Sequence, residues 1–142
     1  EIRFCDWSSD VCSSDLMSAV CHLHFDYIVP IPLHWTRYAW RGYNQAEEIA
    51  NVIAQNSAKP VMHLLKRLRR TAYQSKFKGE DRYKNVHNVF ALQSEDKITY
   101  KNKHILLVDD VMTSGATLRQ AAKVLFAGQP ASITAIVIAR VT

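Results

Sequence analysis

The feature that most constrains the fold is an apolar run that ends in two aspartates and leads into an amphipathic helix. Residues 104–109 (HILLVD) form a nearly continuous apolar stretch, which is typical of a strand buried on both faces of a sheet. Beyond it, apolar residues recur at the i, i+3, i+4, i+7 spacing of a helix with one apolar face, at Leu118, Ala121, Ala122 and Leu125. The segment therefore predicts a buried strand followed by a helix that packs on the sheet.

The rest of the chain repeats this alternation of strands and helices. Residues 26–33 (DYIVPIPL) predict a buried strand that is stopped by prolines. Residues 46–53 carry a second helical stripe, and Asn44 is placed to cap that helix. Further strands are predicted at residues 61–65, 86–92 and 132–139. This order predicts the α/β class, with a mainly parallel sheet flanked by helices.

The first sixteen residues do not fit this pattern. Residues 6–16 (DWSSDVCSSDL) have neither a helical nor a strand period, and the string looks like the translation of a common sequencing-library adapter. We therefore expect residues 1–16 to be a non-native, disordered tail and residues 17–142 to be the domain. A native arm rich in serine and aspartate is the alternative.

Basic residues are concentrated in one stretch of the chain. Without residues 1–16 the formal net charge rises from +5 to +8, because Arg3 leaves together with four acids. Residues 61–103 hold 11 Lys+Arg against four acids. We interpret this stretch as a solvated basic face, and a nucleic-acid patch is an alternative.

Cysteine and histidine give little indication of a metal site. Outside residues 1–16, Cys21 is the only cysteine, so the sequence supports neither a disulfide framework nor a zinc site. Residues 21–24 (CHLH) form a single cluster without a spaced partner, and we interpret them as surface or partly buried side chains. A lone cysteine indicates a reducing, cytoplasmic setting, and no apolar run is long enough for a membrane span.

A loop of small and hydroxyl residues opens the helix that follows the two aspartates. Unpaired backbone N–H groups at such a helix start bind phosphate, although residues 113–117 (TSGAT) do not match a Walker A loop. Asp109 and Asp110 can accept hydrogen bonds from vicinal sugar hydroxyls and can hold Mg²⁺ through water. The alternative is that one acid caps the helix while the other is solvated. The sequence therefore predicts a site for a sugar phosphate.

The string ILLVDDVMTSGATL (residues 105–118) resembles the phosphoribosyl-pyrophosphate (PRPP) motif of type I phosphoribosyltransferases. The resemblance implies a type I phosphoribosyltransferase-like fold. It also implies that Asp109 and Asp110 engage the ribose hydroxyls, with Mg²⁺ accompanying PRPP. The 5-phosphate site that it implies consists of Thr113, Ser114, Gly115, Ala116 and Thr117.

Two other segments narrow the resemblance. Residues 29–50 (VPIPLHWTRYAWRGYNQAEEIA) and residues 70–92 (RTAYQSKFKGEDRYKNVHNVFAL) resemble the ComF family of competence-associated proteins, which share this fold. The resemblance covers residues 17–142. ComF-like proteins usually begin with a cysteine-rich zinc-binding module, which is not found in this sequence, so we expect a truncated fragment without that zinc site.

The family resemblance also assigns residues to the pyrophosphate of PRPP. Arginine suits this task because it is always charged and binds phosphate bidentately, and solvated loop arginines are the alternative. The residues so implied are Arg37, Arg41 and Gly42 for the pyrophosphate, and Lys76, Lys78 and Arg82 for a flexible loop. The implied activity is transfer of phosphoribose from PRPP to a nitrogen nucleophile of unknown identity, with Asp110 as the candidate base.

The resemblance to the ComF family implies a role in DNA uptake, together with other proteins of the competence machinery. It leaves two functions open. The first is a phosphoribosyltransferase. The second is a single-stranded DNA-binding protein whose PRPP site is regulatory or vestigial. In the second case the basic stretch at residues 61–103 would contact the backbone, and Trp35 and Trp40 would stack on bases.

Overall fold

A computed structural model of the chain describes residues 2–5, 13–33, 42–68, 89–93, 100–112 and 114–140. Six strands and three α-helices lie in this part of the chain, and a 3₁₀ turn at Phe126–Gly128 follows the last helix. In chain order they are β1 Ile2–Cys5, α1 Ser13–Val20, β2 Tyr27–Pro30, α2 Gln45–Ser57, β3 Leu65–Arg67, β4 Phe90–Leu92, β5 His104–Met112, α3 Ala116–Leu125 and β6 Ser132–Arg140.

The main sheet has four strands in the order β1-β6-β5-β2, and all three pairings are parallel. Its register places Ile105 beside both Tyr27 of β2 and Ile133 of β6. The apolar residues of β5 are almost completely buried, as expected for a central strand covered on both faces. The predicted α/β class with a mainly parallel sheet flanked by helices is confirmed.

Successive residues of β5 point to opposite faces of the sheet, and each face has its own apolar core. On one face, Ile105 and Leu107 pack in a cluster with the apolar stripe of α3. On the other, Leu106 and Val108 pack in a cluster with residues of α1 and α2, among them Ile53. The helix stripes predicted from the sequence therefore cover the sheet from both sides.

The two short strands β3 and β4 form a separate antiparallel pair outside the main sheet, with Leu65 opposite Leu92. The predicted strand at residues 61–65 is therefore misplaced, since Val61 makes only a single bridge to Ile28 and the strand itself is Leu65–Arg67. The two strands are too short for a period to be recognised in the sequence. Their buried residues, Leu65 and Phe90, pack in the core cluster that contains α3.

Two parts of the amino-terminal segment are described. Ile2–Cys5 pairs in parallel with β6, and α1 begins at Ser13 with Leu16 buried in the core. An extended segment can pair in this way with the row of backbone N–H and C=O groups that a sheet edge offers. The expectation of a non-native, disordered tail at residues 1–16 stays a prediction. The adapter origin of the string stays a prediction.

Asn44 connects the end of β2 to the start of α2. Its side-chain oxygen accepts a hydrogen bond from the backbone N–H of Ala46 at 3.1 Å, which is the predicted N-cap. Its side-chain nitrogen donates to the carbonyl of Ile31 at 3.0 Å, just beyond β2. One side chain thus fixes where the helix begins relative to the strand end, which is the position from which ligands are bound in parallel sheets.

Of the three glycines that the structure describes, Gly128 has the least room for a side chain. A Cβ atom there would overlap the ring of Tyr100, which is buried and donates a hydrogen bond to the carbonyl of Leu125 at 2.8 Å. We expect Gly128→Ala to lower the free energy of unfolding by roughly 1–3 kcal/mol, measured by urea denaturation. Ala127→Ser, one residue earlier and exposed, is the control and should change it little. Wild-type stability of Gly128→Ala would contradict this packing.

Candidate functional site

A polar cleft of about 730 Å³ lies at the carboxyl ends of β2 and β5. It is bounded by the segment after β2, the start of α2, β3, the acidic end of β5 and the first turn of α3. The residues that line it are Ile31, Pro32, Leu33, Tyr43, Asn44, Gln45, Arg67, Asp109, Asp110, Val111 and Thr117. Ligands of open parallel α/β sheets bind at this edge, so the cleft is where the fold predicts a site.

The two aspartates of the cleft differ in how deeply they are buried. Asp109 is 9% exposed, whereas Asp110 is only partly buried. Asp109 Oδ1 accepts a hydrogen bond from the backbone N–H of Asp110 at 2.9 Å, and Asp110 Oδ1 accepts one from the N–H of Val111 at 2.8 Å. The strand does not end at Asp109 as predicted, because pairing with β6 continues to Met112. The acids therefore sit on extended backbone, held by the sheet on one side.

Asp109 is the only buried charged side chain among the residues that the structure describes. Burial in a poorly solvated position raises the pKa of its carboxyl from 3.8 to about 7, and the neighbouring Asp110 contributes to the rise. The backbone N–H of Asp110 and the positive charge of Arg67 act in the opposite direction. With a pKa of about 7 this carboxyl is partly protonated at neutral pH. A cation or hydroxyl donors in the cleft would favour its ionised form.

The turn before α3 presents backbone N–H groups beside these acids. Gly115 has φ +74°, a left-handed conformation that glycine adopts without strain, and it begins α3 without a side-chain cap of its own. The Ser114 hydroxyl lies 3.4 Å from the N–H of Ala116, a long contact at the geometric limit of a hydrogen bond. The carbonyl of Ser114 accepts from the guanidinium of Arg119, which holds the turn in place. A weakly capped helix start next to a polar cleft is suited to bind an anion.

Arg67 is a cleft residue that the sequence analysis did not single out. It lies on β3, its guanidinium carbon is 5.5 Å from the centre of the Phe90 ring, and its charge acts on Asp109. In the sequence it is one of eleven cations in the basic stretch. The available signal is the alternation along β3, because Leu65 is buried, Lys66 is exposed and Arg67 returns to the inner face.

The structure brings together part of the predicted site. Asp109, Asp110 and Thr117 line one cleft, and Ser114, Gly115 and Ala116 form the turn beside it. Gly42, which the resemblance assigns to the pyrophosphate, is exposed with φ +75° two residues before the Asn44 cap, and it is not among the residues that line the cleft. Six of the predicted residues lie outside the described residues, namely Arg37, Arg41, Lys76, Lys78, Arg82 and Thr113.

Within the described part of the chain, none of the helices is both long and apolar enough to cross a membrane.

Known proteins resemble this chain in sequence and in fold. Residues 39–141 match the phosphoribosyl transferase domain family. Competence protein F of Haemophilus influenzae is 34% identical over 69% of this chain, and competence protein ComFC of Bacillus subtilis is 35% identical over 82%. DNA utilization protein YhgH of Escherichia coli K12 is 30% identical over 76%. The chain spans 43 to 46% of the length of these three relatives.

Among solved structures, UMP synthase of Leishmania donovani superposes with a TM-score of 0.53 at 16% identity, covering 90% of this chain and 21% of that one. This likeness supports the fold alone. The family match extends over most of the chain and includes the two aspartates and the turn before α3. The chain therefore belongs to the phosphoribosyl transferase domain family, in which it is a ComF-family protein.

Proposed function

We propose that the cleft binds PRPP, or another ligand that carries a ribose 5-phosphate group. The observation that carries the proposal is the placement of two carboxylates and a glycine-started helix N-terminus along one cleft. Carboxylates accept hydrogen bonds from sugar hydroxyls, and a helix start binds phosphate. A ribose 5-phosphate offers these two groups at opposite ends of one small molecule, so it matches both halves of the site.

Within this proposal each part of the cleft has a distinct role. Asp109 and Asp110 accept hydrogen bonds from the ribose hydroxyls. The turn at Ser114–Ala116 and the Thr117 side chain bind the 5-phosphate. Arg67 also lines the cleft and would balance negative charge on the ligand. The family-based expectation of a pyrophosphate site at Arg37, Arg41 and Gly42, and of a loop with Lys76, Lys78 and Arg82, stays part of the proposal.

The acidic pair also fits Mg²⁺, which prefers oxygen ligands and is commonly bound by one or two carboxylates together with substrate phosphates. Asp109 and Asp110 would hold the ion, directly or through water, and it would neutralise charge on the pyrophosphate. Burial of Asp109 makes its ionised form costly without a cation, and its pKa of about 7 shows that cost. Ligand affinity should therefore depend on Mg²⁺.

If the phosphoribosyl group of bound PRPP is transferred, a nitrogen nucleophile bonds to C1 of the ribose while the bond from C1 to the pyrophosphate oxygen breaks. Pyrophosphate leaves with the bonding electrons, and the nitrogen loses a proton. The protein's contribution would be positioning and stabilisation of the leaving group's charge. Asp110, the candidate base of the sequence analysis, stays the proposed proton acceptor, because it lines the cleft and is more exposed than Asp109.

The names of the relatives support a role in DNA uptake. Two of them are named competence proteins and a third a DNA utilization protein. We propose that the chain takes part in the same process, with the cleft as its site for a ribose phosphate. Its action in the cytoplasm and contacts with other competence proteins belong to this proposal.

Isothermal titration calorimetry with PRPP tests the proposal directly. We expect one saturable site per chain in the presence of Mg²⁺ and a large loss of affinity when Mg²⁺ is removed by a chelator. Ribose 5-phosphate should bind more weakly than PRPP, because it lacks the pyrophosphate. Glucose 6-phosphate, which has a phosphate on a different sugar, is the control ligand and should not bind measurably. No saturable heat with PRPP and Mg²⁺ would contradict the proposal.

Arg67→Ala should weaken PRPP binding about tenfold or more, because it removes a cation from the lining of the cleft. Lys66→Ala is the matched control, since it removes one positive charge from the adjacent, outward-facing position of the same strand. Calorimetry of both variants separates a local contact from a general effect of charge. Equal losses in the two variants would mean that Arg67 acts only through the net charge.

The alternative function is electrostatic binding of single-stranded DNA. It is suggested by the names of two relatives, a competence protein and a DNA utilization protein. Its proposed contacts, the basic stretch and the Trp35 and Trp40 loop, lie mostly outside the described residues. Affinity for an oligonucleotide, measured by fluorescence anisotropy at several salt concentrations, should then fall with a slope of roughly −0.7 per neutralised phosphate. A flat dependence would exclude this mode of binding.

A further inference from the structure

The edge of the sheet opposite the cleft carries a cluster of three potential metal ligands. Asp26 immediately precedes β2, His104 is the first residue of β5, and His24 lies in the segment between α1 and β2. One ligand atom from each of the three lies within 4.8 Å of the other two. The cluster joins the amino ends of neighbouring strands, whereas the cleft lies at their carboxyl ends.

Hydrogen bonds position two members of the cluster, Asp26 and His104. Asp26 Oδ2 accepts a hydrogen bond from the backbone N–H of His104 at 2.9 Å, across 78 positions of sequence. His104 Nδ1 lies 2.6 Å from the hydroxyl of Ser132, the first residue of β6. The rings of His24 and His104 meet edge to face, with centroids 4.6 Å apart. Such a partner on one ring nitrogen orients a histidine ligand and leaves Nε2 as its coordinating atom.

We propose that His24, Asp26 and His104 bind a divalent transition-metal ion of the zinc class. Two imidazoles and a carboxylate suit Zn²⁺ and its neighbours, whereas Mg²⁺ prefers oxygen ligands alone. Ligand atoms around a tetrahedral zinc ion lie about 3.4 Å apart, given bond lengths of about 2.0–2.1 Å. The three ligand atoms now lie within 4.8 Å of one another, and His24 is exposed and therefore has room to rotate toward that closer spacing.

The sequence analysis expected no zinc site because the CHLH stretch lacked a spaced partner. The fold supplies that partner, since the parallel pairing of β2 and β5 brings His104 to Asp26. Three protein ligands leave one position for water, which favours moderate affinity. The bound ion would link the segment after α1 to β5, so its effect is on stability at the edge of the sheet and not on the PRPP cleft.

The test uses the full chain, without a purification tag and without PRPP, titrated with ZnCl₂ and separately with CoCl₂. We expect one Zn²⁺ per chain by calorimetry, a rise in the melting temperature with Zn²⁺, and a visible Co²⁺ absorption band of a four- or five-coordinate site. His24→Ala should weaken Zn²⁺ binding at least tenfold. His22→Ala, an exposed histidine two residues away and outside the cluster, should bind Zn²⁺ like the wild type.

Three results would overturn the proposal. The first is no saturable Zn²⁺ binding by the wild type. The second is an equal loss in His22→Ala and His24→Ala, which would indicate an adventitious ion only. The third is a thiolate-to-cobalt charge-transfer band that disappears in Cys21→Ser, which would assign the ion to cysteine. Because Asp109→Asn/Asp110→Asn changes the opposite edge of the sheet, that variant should retain Zn²⁺ binding whatever its affinity for PRPP.

Discussion

Replacing both Asp109 and Asp110 by asparagine is expected to abolish Mg²⁺-dependent PRPP binding, with affinity falling at least a hundredfold. The change keeps the size and shape of both side chains, and the side-chain oxygens can still accept the backbone hydrogen bonds from Asp110 and Val111. It removes the two negative charges that would attract Mg²⁺ and the strongest acceptors for the ribose hydroxyls. Calorimetry with PRPP and Mg²⁺ measures the loss.

The matched control is Glu47→Gln/Glu48→Gln, which removes two negative charges from the first turn of α2, outside the lining of the cleft. This variant should bind PRPP like the wild type. Circular dichroism of both variants establishes that each is folded before affinities are compared. Unchanged PRPP affinity in the Asp109→Asn/Asp110→Asn variant would show that the ligand site lies elsewhere.

Asp109→Asn alone is expected to stabilise the protein, and increasingly so as the pH rises. The folded-state pKa of Asp109 is raised to about 7 from 3.8, so between these values the folded state binds more protons than the unfolded state. Wild-type stability should therefore fall as the pH rises through this window and level off above it. The full effect is about 4 kcal/mol, because each pKa unit corresponds to roughly 1.4 kcal/mol.

Urea denaturation of the wild type and Asp109→Asn, at about pH 4.5 and about pH 8, measures this effect as the change in their difference. The gain of the variant should be roughly 3 kcal/mol larger at the higher pH. Asp110→Asn is the control and should keep most of the wild-type pH dependence, because burial is the main cause of the shift at Asp109. A pH-independent difference between wild type and Asp109→Asn would mean that Asp109 is not buried as described.

The Asp109→Asn substitution is expected to have opposite effects on stability and on ligand binding. Asp109→Asn should fold more stably at neutral pH and bind Mg²⁺ and PRPP less tightly, because the charge that is costly in the empty cleft is the charge that the ligand needs. Binding sites commonly hold groups that reduce stability in this way. An increase in both stability and affinity would contradict the proposed role.

The parts of the fold that the sequence predicted are those with a clear local period. β5 and α3 follow from a continuous apolar run and a regular stripe, and Asn44 follows from its position before a helix. Asp109 and Asp110 could be assigned to the site because they lie where a buried strand reaches the ligand-binding edge of a sheet. The unequal burial of the two aspartates could not be predicted, since it depends on which face of the sheet the helices α2 and α3 cover.

The features that the sequence did not predict depend on distant pairings. Arg67 enters the cleft only because β3 pairs with β4, and each of these strands is three residues long. The cluster of His24, Asp26 and His104 depends on the parallel register of β2 and β5. The strand at Ile2–Cys5 depends on the free edge of β6, which no local pattern reveals. Each needs a contact that propensity and periodicity do not encode.

Strand β5 carries both sites, with His104 at its first residue and the acids at its sixth and seventh. If β5 slipped by one position against β2 and β6, Asp110 would take the buried place of Asp109 and Val111 the place of Asp110, so the cleft would keep only one acid. The same slip would replace His104 by Ile105 at the opposite edge. A single alignment of β5 is therefore needed both for the acidic pair and for the proposed metal cluster, although the two lie at opposite ends of the strand.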